Sequence, residues 1–152
     1  MKNILVVGGA GYIGSHTSHL LVEKGYNVIV LDSLILGHRE SLPKNVKFYN
    51  IDLANTNEID KVFKENKIDA VMHFAAFAEV GESVKKPEIY FRNNVVNTIN
   101  LLDSMLKFNV KCFIFSSSCA VFGTPEEVPI KESTNKNPIN PYGLTKFIVE
   151  KI

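Results

Sequence analysis

The sequence predicts an α/β fold built on a doubly wound parallel β-sheet. Short apolar runs rich in β-branched residues alternate along the chain with longer segments of helical periodicity. A glycine-rich turn follows the first apolar run, and an acidic residue follows the second. Strand and helix repeated in this order favour right-handed crossovers, which produce a parallel sheet covered by helices on both faces.

Five apolar runs are the candidate strands of this sheet. Runs of this length, bounded by polar or turn residues, are typical of buried parallel strands. His73 lies inside the fourth run, so we expect its imidazole to be a core group. The predicted strands cover residues 4–7, 27–31, 46–51, 70–74 and 112–115.

Helical patterns separate these runs. Residues 13–24 are predicted to form a helix that ends at Gly25, and residues 57–65 a second helix capped by Thr56. A long helix is predicted over residues 87–108. The apolar side chains that share one face of this long helix, and so predict its buried side, are Val95, Ile99, Leu102 and Leu106.

The turn after the first strand has the spacing of a dinucleotide-binding loop. Its glycines fall at Gly8, Gly11 and Gly14, with a second register that starts at Gly9. Glycines there let the backbone approach a pyrophosphate closely, and the helix that follows presents free N–H groups and a partial positive charge. The turn therefore predicts a Rossmann-like cofactor site.

Asp32 ends the second predicted strand, 18 residues after Gly14. A carboxylate at this position accepts hydrogen bonds from an adenosine ribose and repels a 2′-phosphate. Asp32 therefore favours NAD over NADP. The neighbouring His38 and Arg39 leave the alternative open, since both can pair with a 2′-phosphate.

Further candidates follow the other predicted strands, because ligands of such sheets bind outside the carboxyl ends of the strands. Asp52 is a candidate to hydrogen-bond an adenine amino group, and Leu53 to pack on its ring. Small residues after the fourth strand leave room for a dinucleotide. Three serine residues, whose hydroxyls need hydrogen-bond partners, follow the fifth strand. These residues are Ala75 and Ala76, and Ser116, Ser117 and Ser118.

Tyr142 and Lys146 lie four residues apart, on one face of a helix that Pro141 is predicted to open. A phenol is a poor base at neutral pH, and a nearby ammonium stabilises the phenolate. A tyrosine tuned in this way takes a proton from a sugar hydroxyl as hydride leaves the same carbon, and later returns it. Together with the glycine turn, this pair predicts a dehydrogenase-type active site.

Composition excludes two classes of function. The chain has 17 Lys plus Arg and 16 Asp plus Glu, interspersed, so we expect no nucleic-acid partner. No apolar run approaches the roughly 18 residues of a membrane-spanning helix. Glycines interrupt the apolar N-terminus, so we expect a cytoplasmic protein without an export signal. Cys112 and Cys119 match no zinc or disulfide motif and are expected to be buried; we expect no metal site.

These residues resemble the UDP-glucose 4-epimerase family, a branch of the extended short-chain dehydrogenase/reductase superfamily. The glycine turn and the Tyr142 to Lys146 spacing are shared by the superfamily, whereas the Val-Gly-Glu-Ser loop at 80–83 and the three serines are typical of the epimerase branch. Related dehydratases carry Thr-Asp-Glu where this chain has Ser118, Cys119 and Ala120. The resemblance rests on residues 8–16, 80–83, 86–87, 93–95, 113–118 and 141–146.

The resemblance implies an enzyme that interconverts UDP-galactose and UDP-glucose through a 4-keto sugar, with tightly bound NAD. Ser118 and Tyr142 would contact the sugar 4-hydroxyl, with Tyr142 as base and then acid. Lys146 would hold the nicotinamide ribose and favour the phenolate. The implied cofactor contacts are Gly8, Gly11, Tyr12, Ile13, Gly14, Asp32, Asp52, Leu53, Phe74, Ala75, Ala76, Asn94, Ser116, Tyr142 and Lys146.

Members of this family are longer than 152 residues. The resemblance therefore implies that residues 1–152 are an incomplete NAD-binding domain, without the last strands of the sheet and without the C-terminal nucleotide-sugar domain. We expect such a chain to be inactive alone and the full-length protein to be a homodimer. Two alternatives remain at this point: a non-catalytic NAD-binding module, and an epimerase of another UDP-sugar.

Overall fold

A computed structural model describes residues 2–152, and the five predicted strands form a single parallel sheet in it. Its order is β3-β2-β1-β4-β5. The first three strands therefore lie on one side of the sheet, in the order β1, β2, β3 from the centre, and β4 and β5 lie on the other side of β1. This order confirms the predicted Rossmann-like, doubly wound fold class. The strands are β1 Asn3–Val7, β2 Asn27–Asp32, β3 Lys47–Asn50, β4 Ala70–His73 and β5 Cys112–Phe115.

Residues 2–152 form six α-helices and three shorter helical segments, which include every predicted helix, with residues 87–107 divided among three consecutive segments. Each strand boundary falls within one residue of its prediction, and Gly25, with φ of +81°, ends the first helix as expected. The α-helices are α1 Tyr12–Glu23, α2 Thr56–Glu65, α3 Val80–Lys85, α4 Pro87–Tyr90, α5 Asn97–Lys107 and α6 Pro141–Val149. A π-helical segment covers Phe91–Val96, and 3₁₀ segments cover Arg39–Ser41 and Cys119–Phe122.

The chain divides into two compact units. The first consists of residues up to Ala75 together with Ile99–Ser116, and it contains the whole sheet. Successive side chains of β1 and β2 alternate between two apolar clusters, one containing Leu5 and Leu31 and the other Val6 and Val30. Both faces of the central strands are therefore buried, as a doubly wound sheet requires.

The second unit consists of Ala76–Thr98 and Ser117–Ile152. Within it, α6 packs against α3, α4, the π-helical segment and the 3₁₀ segment Cys119–Phe122. Asn140 caps α6, because its side chain accepts a hydrogen bond from the backbone N–H of Gly143 at 2.8 Å, and Pro141 is the first helical residue.

The prediction for the long helix was wrong in its buried face. Ile99 and Leu106 are exposed, whereas the buried side chains lie one position earlier along the helix. Two of them are polar and hydrogen-bonded, so counting apolar residues selects the neighbouring stripe. The buried residues that lie one position before the predicted ones are Asn94, Thr98, Leu101 and Met105, and Tyr90 and Ser104 of the same stretch are buried as well.

Two smaller expectations also differ from the structure. The cap of α2 is Asn55, whose side chain accepts from the Glu58 N–H at 3.3 Å, and Thr56 is the first helical residue. Cys112 and Cys119 are exposed rather than buried. Among the described residues β5 pairs only with β4, so Cys112 lies on an edge strand. His73 is buried as expected and packs against Phe113 and Phe115.

Candidate active site

The glycine turn lies in the first unit at the point where the strand order reverses, between the carboxyl ends of β1 and β4. Gly8 has a φ of +75°, and a Cβ atom there would lie 2.3 Å from the backbone nitrogen of Ala75. A Cβ on Gly14 would lie 2.2 Å from the Gly8 carbonyl oxygen. Packing within the turn therefore requires glycine at both positions.

Gly11 differs from these two glycines. The nearest atom to a Cβ built there is the Gly8 carbonyl oxygen at 3.4 Å, an ordinary contact distance. Packing within the chain therefore does not require glycine at this position. A glycine there fits a ligand that approaches the backbone closely, which is the role the sequence assigned to Gly11.

The N-terminus of α1 follows directly. Its N-cap is Gly11, which has no side chain to bond the first N–H groups of the helix. Tyr12 and Ile13 lie in this first turn, with side chains 83% and 56% exposed. Free N–H groups at the start of a 12-residue helix suit a pyrophosphate. The start of α1 therefore fits the pyrophosphate of a dinucleotide.

Asp32 is buried at the end of β2, and both of its carboxylate oxygens accept backbone hydrogen bonds. Oδ2 accepts from the Ala10 N–H at 2.9 Å and Oδ1 from the Leu34 N–H at 2.8 Å. Each carboxylate oxygen has a second lone pair, which leaves acceptors for ribose hydroxyls. The guanidinium of Arg39 stacks 4.5 Å above the Phe48 ring, so in this structure Arg39 has an intramolecular partner.

Other predicted cofactor residues of the first unit also lie at this edge of the sheet. Asp52 is exposed, and its Oδ1 accepts from the Ala54 N–H at 2.8 Å. Leu53 is only 7% exposed and belongs to the apolar core, so little of its side chain is available to an adenine ring. The backbone N–H of Phe74 donates to Val7 and that of Ser116 to His73, which continues the ladder beyond the strand ends.

In the second unit, α6 carries Tyr142 and Lys146 on one face, with Lys146 Nζ 6.0 Å from the centre of the Tyr142 ring. A Cβ on Gly143 would lie 2.5 Å from the Ala120 carbonyl oxygen. The side chain of Ser118 accepts from the Ala120 N–H at 3.2 Å. Gly143 therefore allows the segment that begins at Ser118 to lie against the turn of α6 that carries Tyr142.

Lys146 is 4% exposed. Burial lowers the pKa of its ammonium to about 8, because the charged form loses hydration. At pH 7 the group is still about 90% protonated at such a pKa. The structure thus places a buried ammonium near the Tyr142 ring, where charge interactions are stronger because water is excluded.

The side chain of Asn94, a predicted cofactor contact, makes four hydrogen bonds within the second unit. Its Oδ1 accepts from the Phe77 N–H at 2.9 Å and from Asn93 Nδ2 at 3.0 Å. Its Nδ2 donates to the Phe77 carbonyl at 2.9 Å and to Thr145 Oγ1 at 3.1 Å. These four bonds use the full capacity of the amide. Asn94 therefore ties Phe77, next to Ala76, to the helix of Tyr142 and Lys146.

Two buried hydroxyl residues of this unit were not among the predicted site residues. Thr145 donates to the Tyr142 carbonyl at 2.7 Å, and the Ser83 hydroxyl accepts from the Tyr142 N–H at 3.2 Å. The only sequence signal for Ser83 was its place in the Val-Gly-Glu-Ser loop. Ser83 lies 59 positions from Tyr142 in the sequence, and Thr145 lies 51 positions from Asn94, which donates to its hydroxyl. No local sequence pattern therefore reveals these contacts.

Within residues 2–152, no group of three or more His, Cys, Asp or Glu side chains is arranged to hold a metal ion. In the same range, no helix is long and apolar enough to cross a membrane.

Comparison with known proteins identifies similar sequences and structures. Residues 4–152 match the NAD dependent epimerase/dehydratase family. The UDP-glucose 4-epimerase of Lactobacillus helveticus is 53% identical over 98% of this chain and 45% of that protein. The chain thus spans about half the length of such relatives.

Two solved structures are similar along nearly the whole chain. One is UDP-glucose 4-epimerase from Brucella ovis in complex with NAD, with a TM-score of 0.96 and 46% identity over 99% of this chain and 46% of that one. The other is the Bifidobacterium longum enzyme in complex with NAD+ and UDP, with a TM-score of 0.95 and 44% identity over 99% of this chain and 47% of that one.

Proposed function

Because this chain belongs to the NAD dependent epimerase/dehydratase family, we propose that it supplies the NAD-binding and catalytic residues of a UDP-glucose 4-epimerase. One observation carries the proposal: in the second unit, Tyr142 lies close to the buried Lys146 and to the segment that begins at Ser118. A module that only binds a dinucleotide has no use for a buried ammonium beside a phenol. The names of its relatives support the same substrate class.

The first unit would bind NAD through its glycine turn. The free N–H groups of Tyr12 and Ile13 would face the pyrophosphate, with Gly11 allowing close approach. Asp32 would accept from the adenosine ribose and disfavour a 2′-phosphate, so we propose NAD rather than NADP. Bound NAD supplies a hydride acceptor that returns the hydride to the same sugar carbon, so the reaction has no net redox change.

The second unit would carry out the proton transfers. Tyr142 would remove the proton of the sugar 4-hydroxyl as hydride leaves C4, giving a 4-keto sugar, and would return that proton after the sugar has turned over. The hydroxyl of Ser118 would orient the same oxygen by a hydrogen bond. The ammonium of Lys146 would stabilise the phenolate while the proton is away from Tyr142.

We further propose the setting in which the protein works. A UDP-galactose substrate places the reaction in galactose metabolism, and we expect a cytoplasmic protein. We also propose that the chain acts together with a part that binds the uridine nucleotide and that the whole protein is a homodimer. The support is the family resemblance and the 45% of the relative's length that the chain spans.

A chimera tests this function on the residues of this chain. Residues 1–152 would replace the matching part of the Lactobacillus helveticus epimerase. We expect the chimera to convert UDP-galactose to UDP-glucose, and Tyr142→Phe to lower turnover at least about a hundredfold, in line with the loss of a general acid–base. Bound NAD, measured after denaturation, should be unchanged.

Tyr26→Phe is the matched control, because Tyr26 is a partly exposed tyrosine outside the site. We expect it to leave turnover within about twofold, as a surface substitution should. Full turnover in the Tyr142→Phe chimera would remove Tyr142 from the mechanism and contradict the proposal.

A further inference from the structure

The Val-Gly-Glu-Ser loop is more than a marker of a family branch. In the structure these residues, Val80 to Ser83, begin the short helix α3, which packs against α6 in the second unit. Ser83 is fully buried at 0% exposure. A buried hydroxyl needs hydrogen-bond partners, and the partners of Ser83 show what it does.

The hydroxyl of Ser83 has two partners with different roles. It donates its proton to the Val80 carbonyl oxygen at 2.7 Å. Its oxygen is then an acceptor, and the donor that faces it is the backbone N–H of Tyr142 at 3.2 Å. Ser83 is therefore held by its own helix while it bonds the backbone of a residue 59 positions later.

The first turn of α6 needs such a partner. The first N–H groups of a helix have no acceptor within the helix. Pro141 has no N–H, and the Asn140 side chain accepts the N–H of Gly143 at 2.8 Å. The N–H of Tyr142 lies between them, and Ser83 accepts it. The cap of α6 is thus completed by a side chain from another helix.

Ser83 is itself fixed by its surroundings. Tyr90 is fully buried, and its one hydroxyl proton can be donated to the Glu79 carbonyl oxygen at 2.9 Å or to Glu82 Oε2 at 3.0 Å; either bond anchors the start of α3. Lys86 Nζ lies 3.5 Å from the other oxygen of the Glu82 carboxylate. Helix α3, which carries the residue that bonds the Tyr142 N–H, is therefore itself held in place by Tyr90.

We propose that Ser83 is a positioning residue for Tyr142, holding the first turn of α6 so that the phenol and Lys146 keep their mutual geometry. The proposal rests on the function proposed above, since positioning matters only if Tyr142 transfers a proton. Ser83 would touch neither substrate nor cofactor and would act through the backbone of Tyr142.

Amide hydrogen exchange in the 152-residue chain tests the contact. In Ser83→Ala we expect the Tyr142 N–H to exchange at least about tenfold faster, because its acceptor is gone. The matched control is Ser104→Ala, which removes another buried serine hydroxyl, one that donates to Asp60 at 2.7 Å in the first unit. We expect this control to leave the Tyr142 exchange rate within about twofold.

Titration of Lys146 gives a second readout, one that general destabilisation of the folded state does not move. The pKa of Lys146, a residue of α6, is about 8 because its side chain is buried. Loosening the first turn of α6 admits water, so Ser83→Ala should raise this pKa toward 10.5. The titration is measured by the NMR chemical shift of the carbon next to Nζ. Ser104→Ala should leave it at the wild-type value.

The proposal requires both the faster exchange of the Tyr142 N–H and the raised pKa of Lys146. Wild-type exchange at Tyr142, or a wild-type titration of Lys146, in Ser83→Ala would overturn the proposal. If Ser83→Ala does not fold, Ser83→Cys replaces it, because the thiol keeps a weak acceptor in a similar volume, and both changes should then be smaller but present. Neither measurement uses NAD or a sugar, so a chimera without epimerase activity would contradict the proposed function and leave this test intact.

Discussion

Lys146 is a charged residue in a buried position, and its burial has opposite consequences for stability and for chemistry. At 4% exposure the ammonium has lost most of its hydration, which lowers its pKa to about 8. The same exclusion of water strengthens its interaction with the Tyr142 phenol, whose ring centre is 6.0 Å away. The proposed reaction would need this charge, which offers a reason for its unfavourable burial.

Replacing this lysine should therefore stabilise the fold. The pKa of Lys146 is lower in the folded than in the unfolded chain, so the unfolded chain binds more protons between about pH 8 and 10.5 and stability rises with pH across that window. Lys146→Met removes this cost. We expect the variant to be more stable by about 2 kcal/mol at pH 7, with a smaller gain at pH 9.5.

Urea unfolding at the two pH values measures this difference. Lys85→Met is the control, because Lys85 is an exposed lysine on α3, and it should change the free energy of unfolding by less than about 0.5 kcal/mol. A Lys146→Met variant that is less stable than wild type at pH 7 would show that the ammonium is stabilising where it lies.

At the scale of elements, the contact between α6 and the 3₁₀ segment Cys119–Phe122 determines where Tyr142 and Ser118 lie. Gly143 has only hydrogen where any other residue would place a Cβ atom 2.5 Å from the Ala120 carbonyl oxygen. Because the atom in the way belongs to the backbone of Ala120, a side chain at position 143 must push α6 and the 3₁₀ segment apart. The glycine in Tyr-Gly-Leu-Thr-Lys is thus a packing requirement.

Gly143→Ala and Gly81→Ala form a matched pair that tests this contact. Both glycines are helical, but a Cβ on Gly81 in α3 would meet nothing within 4 Å. We expect Gly143→Ala to lower the free energy of unfolding by about 2 kcal/mol, as overpacking does. Gly81→Ala should raise it by about 0.5 kcal/mol, because alanine favours the helix. Equal effects in thermal or urea unfolding would contradict the assigned contact.

Elements with a local signal were predictable from sequence. The strands were located to within one residue because their apolar residues are clustered and bounded by polar or turn residues, although β3 itself contains Lys47 and Asn50. Helix α6 was located because Asn140 and Pro141 mark its start. The buried face of the long helix was not predictable. Asn94 and Thr98 are buried through bonds to Phe77, Thr145 and the helix backbone, and polar residues in a helix normally indicate the solvent side.

At the scale of the molecule, the order of motifs predicted the fold and the position of the cofactor turn. The glycine turn follows β1, next to the reversal of strand order, which is where the first unit exposes the N-terminus of α1. The residues that hold α6 in place were not predictable, because Ser83 and Asn94 form hydrogen bonds with residues more than 50 positions away in the sequence. Only the fold brings these residues together.

The fate of the hydrogen on C4 tests the central claim most directly, namely that this chain's residues support transfer of hydride from C4 and its return. The chimera would be supplied with UDP-galactose that carries deuterium at C4, in ordinary water. We expect the UDP-glucose product to retain the deuterium, measured by mass spectrometry and NMR, because in the proposed reaction Tyr142 would exchange only the hydroxyl proton with solvent. Product with hydrogen at C4 would mean that the carbon is deprotonated by a base, and would contradict the account.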